Sequence, residues 1–226
     1  MVIPKPGKPD YSKARAYRVI SLLDTIGKLV ERTAAHLISE RLEMNHHLHY
    51  GQFGGRVRWT MVDAVAVLIY QTPQAWEKKA IAAALLMDVK SAFNNVFRSH
   101  LANQMSRVGI DSQLVRWSLS FMEDRRMVVK LTNKSGCEHQ LDSGIPQGSP
   151  ASPILFAIYL SELFDYVEKK MGNRIRAISF VDDIAWWTSA KDTKGVQQQL
   201  TEAASHALQW ARDSAISFDT KKTEAM

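Results

Sequence analysis

The chain has 226 residues, 46% of them hydrophobic and 23% charged, with a net charge of +6 and an isoelectric point near 9.4. That length suffices for one substantial core, or two subdomains sharing an interface, and the basic balance suits a polyanionic partner. One cysteine, Cys137, excludes an intramolecular disulfide and a multi-cysteine zinc site; no apolar run could span a bilayer and the start is no signal peptide, so the expectation is a soluble intracellular protein of nucleus or cytoplasm, without membrane contacts.

The proline-rich opening Pro4-Lys5-Pro6-Gly7-Lys8-Pro9 reads as extended, and Tyr17-Arg18-Val19-Ile20 as a short strand. Ile26, Leu29, Val30, Thr33, Leu37 and Leu42 recur at helical spacing behind a cap at Asp24 or Thr25. After a histidine- and glycine-rich loop from Asn45 to Gly55, a second helix is predicted from Thr60 to Gln71, burying Val62, Val65, Ala66 and Ile69. Ile81 to Met87 is apolar on both faces and stops at Asp88, as a central strand would. Helices follow at about Ser99–Val108 and Asp111–Glu123, then a hairpin of Met127–Leu131 and Glu138–Leu141 turning through Thr132 to Gly136. A loop from Ser143 to Pro153 leads to an apolar helix with Ile154, Leu155, Ile158, Leu160, Leu163 and Val167. The strands around Asp182-Asp183, a helix from about Thr193 to Ser214 and a strand at Ala215–Phe218 complete an α+β order with an antiparallel sheet.

The segment Ile178 to Trp187 is the most informative stretch. Two aspartates stand between two apolar runs, where a two-residue hairpin turn favours Asn-Gly or Asp-Gly. Adjacent like charges in that place have two readings: an acidic surface turn, or carboxylates presented to a divalent cation. Asp88, where a strand emerges, reads either as a helix cap or as a further carboxylate for the same cations if the two strands are neighbours. The loop Ser143 to Pro153 combines two glycines with three prolines and with Gln147, which both donates and accepts. It reads as a ligand-approaching backbone or as a stiff connection to the next helix. His46, His47 and His49 read as a solvated loop, the methionines as core filling, and Trp186 and Trp187 as packing beneath the sheet.

In chain order these segments resemble the blocks of a reverse transcriptase of the non-LTR (LINE-like) retrotransposon branch. Ile3 to Pro9 with Tyr17 to Leu23 is similar to a first fingers block, and Gln52-Phe53-Gly54-Gly55-Arg56 with Thr60 and Asp63-Ala64 to the next. Asp88 to Phe93 resembles the first catalytic block, Gly144 to Pro150 the glycine-rich block, Phe180-Val181-Asp182-Asp183 the aspartate-pair block, and Phe218 to Glu224 the lysine-bearing block.

The resemblance implies a right-hand polymerase fold of fingers and palm with an antiparallel palm sheet and no thumb. One reverse transcriptase domain would span 1–226, with fingers mainly at 1–80, palm at 81–226, and a fingers insertion at about 99–141. It implies RNA-directed DNA synthesis with two magnesium ions, manganese being an alternative, and with RNA template, DNA primer and deoxynucleotides as partners. Asp88, Asp182, Asp183 and the carbonyl of Val89 would hold the metals, and Lys222 would protonate the departing pyrophosphate. Arg18, Lys5, Phe93, Pro146, Gln147 and Gly148 would line the nucleotide, with Phe93 as the gate against a 2′-hydroxyl. Arg56, Arg125, Arg126 and Lys130 are candidates for nucleic-acid contacts, the last three equally for a solvated hairpin face. Two other readings stand beside this one. A truncated, inactive retroelement remnant would bind nucleic acid without polymerising, and an RNA-dependent RNA polymerase would carry glycine where this chain has Val181.

Overall fold

Strand β3 (Ile81–Asp88) packs on both faces, Leu85 and Met87 against the main core and Leu86 against a second cluster, and this explains its uninterrupted apolar sequence. The computed structural model describes residues 1–13, 16–131, 134–214 and 216–226. Its main sheet has the order β6-β7-β3-β8, where β6 is Arg176–Phe180, β7 Asp183–Ala190 and β8 Glu224–Ala225, and all three pairings are antiparallel. Two smaller ribbons pair β1 (Val2–Pro4) with β2 (Tyr17–Val19), and β4 (Arg125–Leu131) with β5 (Lys134–Leu141). The helices are α1 (Thr25–Met44), α2 (Met61–Glu77), α3 (Arg98–Arg107), α4 (Ser112–Phe121), α5 (Ser152–Met171) and α6 (Thr193–Asp213).

Alternation along β7 separates two layers of packing. Ile184 and Trp186 join the main core with α5 and α6, whereas Ala185 turns to a smaller cluster containing Phe53, Ala64 and Ile178 beneath α2. Helix α5 is buried nearly all round, with Leu155, Phe156, Ile158, Tyr159, Leu160, Leu163, Phe164 and Val167 fully covered. Each such side chain contributes about 1.5–3 kcal/mol of burial, so α5 is the post around which the molecule packs.

Several expectations need correction. Helix α1 is capped by Asp24 as expected, but of the predicted face only Leu42 is buried; Ile26, Leu29, Val30 and Leu37 face solvent. The inward stripe is Ala34, Ile38 and Leu42 with the polar Glu31 and Ser39, because Glu31 meets a hydroxyl of the glycine-rich loop. Helix α2 starts with a capping box between Thr60 and Asp63 and packs through Ala64, Val67, Leu68 and Ala75. Its small inward residues let the helix lie close to the sheet, so Val62, Val65, Ala66 and Ile69 are exposed. The last strand is Glu224–Ala225, while Phe218 makes only an isolated bridge to Val89. Ala215, where a strand was expected to begin, and turn residues Thr132 and Asn133 lie outside the described residues. Leu101, Met105, Val108 and Met122, on and beside α3 and α4, belong to the main core.

Candidate active site

The register of the central strands brings the carboxylates together. Asp88 lies directly opposite Asp183 across β3 and β7, and side chains of a directly opposed pair share one face. The Val89 N–H donates to the Asp182 carbonyl at 3.1 Å, which carries the ladder one step past that pair onto the turn. Phe180 pairs with Asp183, so the two turn residues are Val181 and Asp182 rather than the two aspartates. Val181 has a φ of 60°, a left-handed conformation that a β-branched residue resists at a cost of about 1–3 kcal/mol. Ser91, just beyond Asp88, is also left-handed at φ 52°.

Burial pushes the Asp182 carboxyl above the usual carboxylate range, with the charges of Asp183 and Asp88 adding to it and Lys222 opposing it. Asp183, although exposed at the start of β7, is raised as well, by partial desolvation and then by the charge of Asp88. The Lys222 ammonium donates to Asp88 Oδ2 at 2.7 Å, and this bond raises the lysine pKa. Lys222 reaches it because a turn after Phe218 (Lys222 N–H to Asp219 C=O, 2.9 Å) delivers the chain into β8 beside β3. Among the described residues no three His, Cys, Asp or Glu side chains are drawn together as a ready metal cluster. The donor chemistry nonetheless fits a hard divalent cation: these are oxygen ligands whose mutual repulsion a cation relieves, and a tethered ammonium already serves that purpose at Asp88.

The glycine-rich loop docks onto the segment that follows Asp88. Ile145 N–H donates to the Phe93 carbonyl at 2.7 Å and Gly144 N–H to Val96 at 2.9 Å. A side chain at Gly144 would lie 2.9 Å from Asn94 Cα and the Phe93 oxygen, so the contact needs glycine. Phe93 sits half-buried in the short 3-10 turn Ala92–Asn95, 5.4 Å from the Phe156 ring. Pro146 is buried, its carbonyl accepting from Ser152 Oγ at 2.7 Å, while the Gln147 side chain is exposed. Ser21 N–H donates to the Gln147 carbonyl at 2.8 Å, and Gly148 lies against Ser21 and Ile20. The β1–β2 ribbon is thereby tied to the loop, with Arg18 exposed on β2 and Lys5 just after β1; neither touches the carboxylates.

The basic candidates divide. The Arg56 side chain is only 6% exposed and makes four hydrogen bonds inside the protein. Nε and Nη2 bond the two Glu43 oxygens at 2.7 Å, Nη1 bonds the Gln52 carbonyl at 2.9 Å, and the guanidinium lies 4.0 Å above the Trp59 ring. Arg56, a candidate for nucleic-acid contact by sequence, is placed here as an internal clamp. Arg125 is half-buried and donates to the Gly144 carbonyl at 2.6 Å, so it holds the glycine-rich loop. Arg126 and Lys130 are exposed on the hairpin, Arg126 within 3.5 Å of Glu138. Sequence reasoning overlooked the buried pair in which Ser149 Oγ donates to Glu31 Oε2 at 2.5 Å, which fastens α1 to the loop. A charged residue off the predicted apolar stripe of α1 gave no usable signal.

Residues 3–226 match the family described as reverse transcriptase (RNA-dependent DNA polymerase), and the chain belongs to that family. Among curated relatives, it is 29% identical over 216 residues to the probable RNA-directed DNA polymerase from transposon BS of Drosophila melanogaster, covering 93% of this chain and 24% of the relative. It is 27% identical over 222 residues to the probable RNA-directed DNA polymerase from transposon X-element of the same organism, covering 98% and 24%. This chain thus spans about a quarter of the length of those relatives. Among solved structures, telomerase from Candida albicans in complex with a TWJ fragment of telomeric RNA superposes with a TM-score of 0.65 at 11% identity, over 89% of this chain and 34% of that one. Apo telomerase from Candida tropicalis truncated from its C-terminal domain gives a TM-score of 0.62 at 14% identity, over 88% and 40%. At such identity the likeness is one of fold.

Proposed function

We propose that this chain is the fingers and palm of an RNA-directed DNA polymerase of the non-LTR retrotransposon type, extending a primer 3′-hydroxyl with deoxynucleotides. In this reading the four-stranded sheet is the palm, residues 1–80 are mainly fingers, and the β4–β5 hairpin is a fingers element. The observation that carries it is the cross-strand placement of Asp88 against Asp183, with Asp182 in the adjoining turn. Two magnesium or manganese ions bound by Asp88, Asp182, Asp183 and the Val89 carbonyl would lower the pKa of the primer hydroxyl and neutralise the charge that builds on the phosphates.

The remaining work falls to side chains of this chain. Lys222, positioned at Asp88, offers a proton to the departing pyrophosphate. Arg18 and Lys5 supply positive charge to the triphosphate from a ribbon that the Ser21–Gln147 bond holds in register with the loop. Gln147, with its exposed amide, positions nucleotide and template, and Phe93 closes the space that a 2′-hydroxyl would need. Primer extension with an RNA template and magnesium tests the proposal. Deoxynucleotides should be incorporated by the wild type and not by Asp88→Asn, and undiminished activity in that variant would refute it.

A further inference from the structure

Val181 keeps its left-handed backbone against the preference of its branched Cβ, so something outside the turn must hold it. The segment Gly51 to Gly54 lies where that restraint is needed. Ser179 N–H donates to the Gly51 carbonyl at 2.7 Å and Phe53 N–H to the Ser179 carbonyl at 2.9 Å, which lays the segment parallel to β6. Gly54 then rests flush on the turn. A Cβ at that position would fall 2.2 Å from the Val181 nitrogen, 2.5 Å from Val181 Cγ2 and 3.0 Å from the Phe180 carbonyl carbon. Backbone this close cannot yield as a flexible side chain would. The segment is itself anchored, with Phe53 3% exposed and edge-on to Trp59 at 5.0 Å, and the Gln52 amide donating to the Ala157 carbonyl at 2.8 Å.

We propose that Gly54 is a positioning residue, the flat seat on which the Val181–Asp182 turn rests and which sets the direction of the Asp182 carboxylate. Any side chain there would lift the turn from its seat and swing Asp182 away from Asp88 and Asp183. The inference rests on reading those carboxylates as the polymerase centre, and it adds a residue that touches neither substrate nor metal. Its mark is a loss of chemistry without a loss of duplex binding.

The test is Gly54→Ala, compared with Leu200→Ala, a core truncation on α6. At saturating primer–template and nucleotide, Gly54→Ala should lower kcat about a hundredfold, as expected for a catalytic group misplaced by around an ångström. Its affinity for Mn2+ alone, titrated by electron paramagnetic resonance, should weaken about tenfold, with primer–template Kd unchanged. Adding Val181→Gly should recover only a small part of the kcat, since it removes the Cγ2 contact but leaves the closer one with the backbone nitrogen of that position. If Gly54→Ala fails to fold, Trp59→Ala loosens the anchored segment without a clash and should give the same pattern more weakly. Unchanged kcat and Mn2+ affinity in Gly54→Ala would overturn the proposal, as would equal losses in Leu200→Ala. A wild type that extends no primer, yet whose Mn2+ affinity Gly54→Ala weakens, would refute the polymerase reading and leave the seat intact.

Discussion

Asp182 and, less so, the exposed Asp183 hold their protons more firmly than free carboxylates because desolvation and neighbouring negative charge disfavour ionisation. A folded-state pKa raised in this way stabilises the fold below the ordinary carboxylate pKa, and that stability is lost as pH rises through the raised value. At neutral pH, without metal, the ionised pair is therefore a local cost. Asp182→Asn should abolish synthesis while raising Tm by about 2–4 °C, the shift that roughly 1 kcal/mol gives in a chain of this size. Differential scanning calorimetry checks this, and a lowered Tm would show that the carboxylate stabilises the apo fold instead. Phe93, half-buried against Phe156, belongs to the same scale. Phe93→Ala should raise ribonucleotide use relative to deoxynucleotide by about one to two orders of magnitude, since a pocket edge that excludes by clash is worth about 1–3 kcal/mol. A primer-extension ratio equal to wild type would remove Phe93 from the gate.

Between elements, the clamp of Arg56 ties the end of α1 to the loop before α2 through Glu43, His49 and Gln52. Truncating this guanidinium leaves two carbonyls and the part-exposed Glu43 carboxylate without their partner, so Arg56→Ala should cost about 1–3 kcal/mol of stability. Nucleic-acid affinity measured well below Tm should retain the wild-type salt dependence, because Arg56 reaches no phosphate; a shallower slope would return it to the interface. This residue shows where the sequence was legible and where it was not. The existence of most helices and strands followed from apolar periodicity, whereas the approach of Asp88 to the aspartate pair depended on their strands being neighbours, which the register of β3 and β7 supplies. Which stripe of α1 and α2 turns inward did not, since several apolar stripes compete and Ala34 and Ala64 won by allowing close approach. The role of Arg56 was hidden for a related reason, because charge in a sequence does not reveal whether it is paired. The turn was placed one residue late, as a valine in the left-handed region is improbable until the Gly54 surface beneath it is seen.

Across the molecule, α1 and α2 display unusual apolar surface, including Ile26 at 75%, Val62 at 76%, Ile69 at 66% and Trp76 at 64% exposed. Patches of this kind favour association. The isolated chain should therefore self-associate at high concentration, and Ile69→Lys with Trp76→Lys should reduce this in light scattering without changing kcat. Among the described residues no helix is long and apolar enough to cross a membrane, so these faces are not spans. The carboxylate end of the sheet, where Asp88 faces Asp183, is the proposed polymerase centre. The measurement that tests it most directly is single-nucleotide addition to a primer on an RNA template, with magnesium, comparing wild type and Asp182→Asn at matched circular dichroism. Addition by the wild type and none by the variant is the expected result. Equal addition by both, or none by a folded wild type at saturating primer–template, would contradict it.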